Sequence, residues 1–198
     1  FFENGKPQSE GAYLNGKQNG TWKTYYENGK LKSIENFTAG NRNGELKEYN
    51  ISGKLLLSGK YSAGKKDGLW QRYYQNAKKK SVENYTDDLR DGKYKKWFKN
   101  EELAEEGNYK NGQKTGEWKW YLENGQLDME GSFAADEQNG SWTYYYNSNS
   151  QILTKGEFEN GKRTGTWEYF YEDGTVWKNG KYANDLKNGE WTTKHENG

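Results

Sequence analysis

A glycine that returns every 24 residues is the feature that most constrains this chain. It stands at Gly20, Gly44, Gly68, Gly92, Gly116, Gly140, Gly165 and Gly189, with a single step of 25. Two residues after it come Trp22, Leu46, Trp70, Tyr94, Trp118, Trp142, Trp167 and Trp191; five after it come Tyr25, Tyr49, Tyr73, Trp97, Tyr121, Tyr145 and Phe170. A third aromatic column lies seventeen residues after the glycine, at Phe37, Tyr61, Tyr85, Tyr109, Phe133, Phe158 and Tyr182, with Tyr13 in the same phase. A period of this length marks an array of supersecondary units, each too small to bury its own apolar face and stable only against its neighbours. The one extra residue falls in Asn147–Gln151, where a loop absorbs it at little entropic cost.

Each unit reads as a β-hairpin. Thr21 to Glu27 is rich in Trp, Tyr and Thr, Asn28-Gly29 supplies the residues that a two-residue type I′ turn prefers, and Lys30 to Thr38 runs back. A looser glycine-rich turn, Ala39 to Gly44, leads into the next unit. This pairing predicts Tyr26 opposite Leu31, Thr24 opposite Ser33 and Trp22 opposite Glu35, on one apolar face, with the Tyr25 column on a wetter opposite face. Trp70, Trp118, Trp142 and Trp167 then face Glu83, Gly131, Gly156 and Gly180, and the glycines let an indole lie over bare backbone. Glu35 and Glu83 break that pattern. No segment repeats apolar residues at helical spacing over three turns, and "NEELAEEGNYK" around Leu103 is the one helix-friendly stretch. The expected fold is all-β: an elongated, single-layer antiparallel β-meander of about eight hairpin repeats, a single array over residues 1–198 that is cut inside a unit at both ends.

Composition excludes several functions. The chain is 30% hydrophobic, and that share sits in Trp and Tyr more than in Leu, Ile and Val, so an ordinary aliphatic core is ruled out. A net charge of +1 predicts no bulk attraction to nucleic acid. There is no Cys, and the single histidine, His195, reads as a solvated edge residue. The acidic run Asp87 to Asp91 lacks the spacing of a calcium loop and reads as a turn. No catalytic, metal or cofactor set is expected.

The unit "GAYLNGKQNGTWKTYYENGKL", Gly11 to Leu31, resembles the MORN-repeat variant of bacterial proteins of the YwqK antitoxin family. The resemblance runs over essentially the whole chain. It implies a non-catalytic β-repeat scaffold that binds another protein, with neutralisation of a toxin-like partner as the family's role. Leu46 and Tyr94 depart from the Trp position, Ala77 and Glu101 from the turn glycine, and Asp88, Asp136 and Asp185 from the glycine of the looser turn, where they are expected to weaken individual turns.

For a protein partner of unknown identity, Tyr73, Trp97 and Tyr121 are the expected anchors, because central aromatics dominate interfaces. The alternative is a glycan or cell-wall module, since "GTWKTYY" also resembles the units of choline- and glucan-binding repeats, which are shorter than this one. A third reading is an anionic membrane surface met by a basic rim of Lys17, Arg42, Lys65, Lys66, Arg90, Lys114, Lys162, Arg163 and Lys187. Charged turns that keep a meander soluble are the simpler explanation of that rim. The cell envelope is favoured over the cytoplasm.

Overall fold

A computed structural model describes residues 1–195; the Asn197-Gly198 end of the last repeat lies outside the described residues. The chain divides into two compact units, Phe1–Glu101 and Glu102–Gly198. Within each, successive strands pair antiparallel with their sequence neighbours in meander order, and no helix occurs among the described residues. The described residues form seventeen strands, of which Lys65–Lys66 and Gly68–Tyr73 are one excursion interrupted at Asp67.

The periodic glycine is a bulge. Between Lys17–Tyr25 and the preceding strand Ser9–Leu14 the register jumps from Glu10↔Lys23 to Ala12↔Asn19, with Gly20 at φ 77° in the gap. An extra residue in the left-handed region is what a glycine-first bulge requires, so the column is glycine at every repeat.

The tryptophans sit on glycines, but in the sense opposite to the one expected. Each indole of the Trp22 column lies over the glycine eleven residues before it, on the preceding strand: Trp22 over Gly11, Trp70 over Gly59, Trp118 over Gly107, Trp142 over Gly131, Trp167 over Gly156 and Trp191 over Gly180. A methyl group built on any of these glycines would stand 2.2–2.3 Å from an indole carbon. The third aromatic column closes the sides edge-on, as with Tyr61 at 5.1 Å from Trp70 and Phe133 at 5.2 Å from Trp142. The indole nitrogen donates to a carbonyl ten residues back in Trp22, Trp118, Trp142 and Trp167. At Trp70 the matching carbonyl of Lys60 accepts the Asp67 amide, and the indole nitrogen is buried without a partner. The result is a thin core, with Trp70 at 1% and Trp118 at 0% exposure.

This pairing accounts for the two glutamates. The positions eleven residues after Glu35 and Glu83 are Leu46 and Tyr94, the two places where Trp is missing. Where a side chain fills the glycine site, no indole follows. Glu35 bonds Arg42 at 2.7 Å. Glu83, 3% exposed, accepts from Arg90 at 2.8 Å, Tyr85 at 2.8 Å, Ser81 at 3.2 Å and Arg72 at 3.4 Å.

The turn chemistry is the reverse of the expected assignment. Asn28 is not at positive φ; Tyr26 N–H donates to Lys30 across a three-residue loop, Gly29 N–H returns to Tyr26, and Gly29 alone is left-handed at φ 86°. That is a type I turn closed by a glycine bulge, and it places Tyr25, not Tyr26, opposite Leu31. Thr24↔Ser33 and Trp22↔Glu35 pair as expected. In the repeat with the extra residue, Tyr146 N–H reaches Gln151 over a four-residue loop. The paired positive φ of type I′ occurs instead at the turns expected to be loose, including Ala39-Gly40, Asp87-Asp88 and Asn184-Asp185.

Those turns are stitched from repeat to repeat, as Gly40 N–H donating to Gln18 O at 2.8 Å illustrates. The aspartates add a second stitch: Asp88, Asp136 and Asp185 accept the backbone N–H of Lys66, Lys114 and Arg163 at 2.7–3.0 Å. They therefore brace the turns they were expected to weaken. Ala77 has no such compensation at φ 70°, in a place where other repeats have glycine. Ala77→Gly is expected to raise stability by about 1 kcal/mol, since relief of left-handed strain exceeds the added entropy of the unfolded chain. An unchanged or lower urea midpoint would show that the alanine is unstrained.

Candidate functional site

The face opposite the indoles carries the Tyr25 column, and every member of it is half-buried. Alternation places Lys23 and Thr21 beside Tyr25, and the neighbouring strands contribute Glu10, Ile34 and Asn36. The tyrosine hydroxyls do not point freely to solvent. Tyr25 donates to Glu10, Tyr121 to Glu106 at 3.0 Å and Tyr145 to Glu130 at 2.8 Å, each fifteen residues back on the preceding strand. Burial, then the carboxylate partner, pushes the Tyr121 and Tyr145 hydroxyls up to about 12, so both stay protonated donors at neutral pH. Tyr73 reaches Gln71 at 3.4 Å. The expected anchors Tyr73 and Trp97 lie in the first unit and Tyr121 in the second. Tyr73 and Tyr121 are thus hydrogen-bonded rings on the wetter face, as their strand parity implies, and Trp97 is half-buried there with Lys79 Nζ 6.0 Å from its ring.

The second aromatic of each pair, which sequence reasoning passed over, ties neighbouring repeats. Tyr26, Tyr74, Tyr146 and Tyr171 donate to the carbonyls of Tyr49, Trp97, Phe170 and Lys194 at 2.7–3.0 Å. Asn50 takes the same place and bonds Gln75 O at 3.0 Å. The Tyr-Tyr doublet was the available signal.

The basic rim is not one surface. Lys17, Lys65 and Lys162 stay exposed on the turns, and Lys65 lies 3.6 Å from Asp87. The other six fold onto the indole face. Lys66 lies 4.8 Å over Trp70, Lys114 4.4 Å over Trp118 and Lys187 4.7 Å over Trp191; Arg42, Arg90 and Arg163 lie over Tyr61, Tyr94 and Tyr182. Lys66, Lys114 and Lys187 thus cap indoles whose other side rests on a glycine, a structural use of charge.

One row of side chains crosses each unit on the tyrosine face. In the first unit it runs Glu10, Lys23, Ile34, Lys47, Ser58, Gln71, Val82, Lys95. The corresponding row of the second runs Glu106, Lys119, Glu130, Thr143, Lys155, Glu168, Asn179, Thr192. There it neutralises itself, with Lys119–Glu130 and Lys155–Glu168 at 3.0 Å. A shallow groove of about 330 Å³ lies on this face, lined by Glu117, Lys119, Glu130, Ser132, Ser141 and Thr143. Among the described residues no three or more metal-ligating side chains come together, and His195 is exposed near the end of the chain.

The near-zero net charge conceals a division. Residues 1–101 hold 20 Lys and Arg against 12 Asp and Glu, a net of +8; residues 102–198 hold 10 against 17, a net of −7. A sum over the whole chain hides these opposite excesses.

No curated protein matches the chain. Among solved structures, one titled as the crystal structure of a GtfA/B complex bound to UDP and GlcNAc is similar at 11% identity. The match spans 67% of this chain but only 26% of the other, and its TM-score of 0.27 is too low to carry fold or function. The described match to a known family is to the MORN repeat variant, whose profile fits residues 18–39, 90–111, 114–135 and 163–184, four of the repeats whose glycine bulge and stacked indole are set out above.

Proposed function

We propose that the chain is a non-catalytic scaffold that binds a protein partner through the tyrosine face. The observation that supports this most is the unequal saturation of the two faces. On the indole face the rings are floored by backbone glycine and walled by aromatics, and Trp70, Trp118 and Trp191 are also capped by Lys, which leaves little for a partner to displace. The tyrosine face presents half-buried rings held in place by hydrogen bonds, among exposed charges. Rings already ordered lose little entropy on binding, which suits them as anchors. MORN-type repeats generally serve protein or membrane interaction, and the resemblance of the repeat unit to the YwqK family favours neutralisation of a partner as the form of that binding.

Photo-crosslinking groups placed at Tyr73 and Tyr121 should capture a partner, whereas the same group at Lys66 should not. Tyr73→Ala, Trp97→Ala or Tyr121→Ala should then weaken the captured complex by about tenfold or more. Trp118→Ala should act chiefly through loss of folded protein. Capture from Lys66 alone would move the site to the other face, and salt-resistant glycan binding lost with Tyr73→Ala and Tyr121→Ala would make this a carbohydrate module.

A further inference from the structure

The two halves of the tyrosine face differ in the sign of their excess charge, and this difference points to the chemistry of the partner. The inference rests on the scaffold reading above. In the second unit the central row pairs its lysines with glutamates. In the first unit the same row holds Lys23, Lys47 and Lys95 against Glu10 alone, with Ile34 and Gln71 at the places of Glu130 and Glu168; Lys23 lies 3.5 Å from Glu10 and Lys47 lies 3.4 Å from Glu45 of the flanking row. The flanking row adds Lys60 opposite Glu45, Leu69 opposite Asn84, and Lys93. Over these two rows the first unit carries five lysines and two glutamates, with Ile34, Leu69 and Val82 interspersed. Leu69 is 50% exposed.

We infer that this face of the first unit, Lys23, Ile34, Lys47, Leu69, Val82 and Lys93, is a docking surface for an acidic protein surface. Charge complementarity supplies the sign: an excess of lysine in a net +8 unit attracts and orients a negative partner. Two observations select carboxylates on a protein over phosphates. All three arginines of this unit, Arg42, Arg72 and Arg90, are on the indole face with Glu35 or Glu83, so the side chain best suited to bidentate phosphate binding does not occur on the tyrosine face. The aliphatic residues between the lysines offer apolar contact within a charged ring, which suits a folded partner better than a sugar-phosphate backbone. A lipid surface is disfavoured because the rings that would enter it are half-buried and held by their hydroxyls, Tyr25 by Glu10 and Tyr73 by Gln71.

The test uses the full chain and fluorescent poly-L-glutamate as a carboxylate probe, beside single-stranded oligothymidine and phosphatidylserine vesicles. Lys47→Glu with Lys93→Glu should weaken poly-L-glutamate binding at low ionic strength by about tenfold or more, and added salt should do the same to the unaltered chain. Lys162→Glu with Lys181→Glu, the same charge change in the second unit, should shift it by less than about threefold. Lys47→Gln with Lys93→Gln serves if the reversed variant melts early. Equal losses from both pairs of substitutions would overturn the inference. Tighter, Lys47- and Lys93-dependent binding of the oligonucleotide or the vesicles would also overturn it, in favour of that class. Salt-dependent dimers in sedimentation, lost with Lys47→Glu and Lys93→Glu, would assign the face to a second copy instead. A partner captured at Tyr121 and indifferent to the first-unit variants would sink this inference while leaving the scaffold reading in place.

Discussion

Gly131→Ala is expected to destabilise the protein by roughly 3 kcal/mol, far more than one methyl group normally costs on a sheet. The reason is collision. Gly131 is buried and its backbone is not left-handed, so alanine meets no torsional objection there, but its methyl would stand 2.2 Å from the Trp142 indole. The ring must leave its seat, and with it go the edge contact with Phe133 at 5.2 Å and the nitrogen's bond to Ser132 O. Trp142→Ala should cost a similar roughly 3–5 kcal/mol. The decisive measurement is the double variant. With the indole gone, alanine at 131 should be neutral or stabilising by about 0.5–1 kcal/mol, because it orders a strand better than glycine. If urea unfolding followed by circular dichroism gave simple additivity, the glycine would not be a seat for the ring.

The second large effect is expected at Glu83. Its carboxylate is almost wholly enclosed, and four hydrogen bonds hold it. Burial by itself would raise its pKa, but the hydrogen bonds from Arg90 and Tyr85, with the charges of Arg90 and Arg72, outweigh burial and hold it below the usual carboxylate range. Glu83→Ala should cost about 2–3 kcal/mol, less than for a fully buried pair because both arginines are partly exposed and regain water. The lowered folded-state pKa also sets the sign of the pH dependence. The contribution is present above the unfolded carboxylate value of about 4.3 and is lost as pH falls through the folded value. Glu83→Gln should therefore flatten the acid limb of stability against pH. Parallel acid limbs for the two proteins would show that other carboxylates carry it.

Most of the architecture was legible because it rests on period and parity. The glycine column, the alternation of Trp22 and Tyr25 faces and the loop around Asn147–Gln151 all follow from counting. Turn type was not legible from the dipeptide alone. Asn28-Gly29 is a strong type I′ signal, yet the left-handed pair sits at Ala39-Gly40, where bonds from the neighbouring repeat fix the backbone. The fate of the basic rim depended on the same kind of detail. A bulge at each glycine decides that Lys66 turns onto Trp70 while Lys65 turns away, and one residue of parity separates a ring cap from a surface charge. The seating of the indoles could have been read: Gly11 with Trp22 and Gly59 with Trp70 share a spacing that Glu35 with Leu46 and Glu83 with Tyr94 respect in the negative. Looking for each ring's partner inside its own hairpin hid it. The charge division was equally present, and summing over the whole chain erased it.

The seating of each ring across the boundary between repeats bears on how such an array grows. "SIENFT" at Ser33–Thr38 returns as "SVENYT" at Ser81–Thr86, and Glu35, Arg42 and Leu46 correspond to Glu83, Arg90 and Tyr94, all at a distance of 48 residues, or two periods. In this part of the chain the heritable block is therefore a pair of hairpins. A duplication that began between a glutamate and the residue eleven positions later would set a tryptophan against a carboxylate, or leave a bare glycine beneath a leucine. Breakpoints that cut ahead of the seating residue and carry its ring along give a copy that packs at once, so the physics of one glycine restricts where the gene can lengthen.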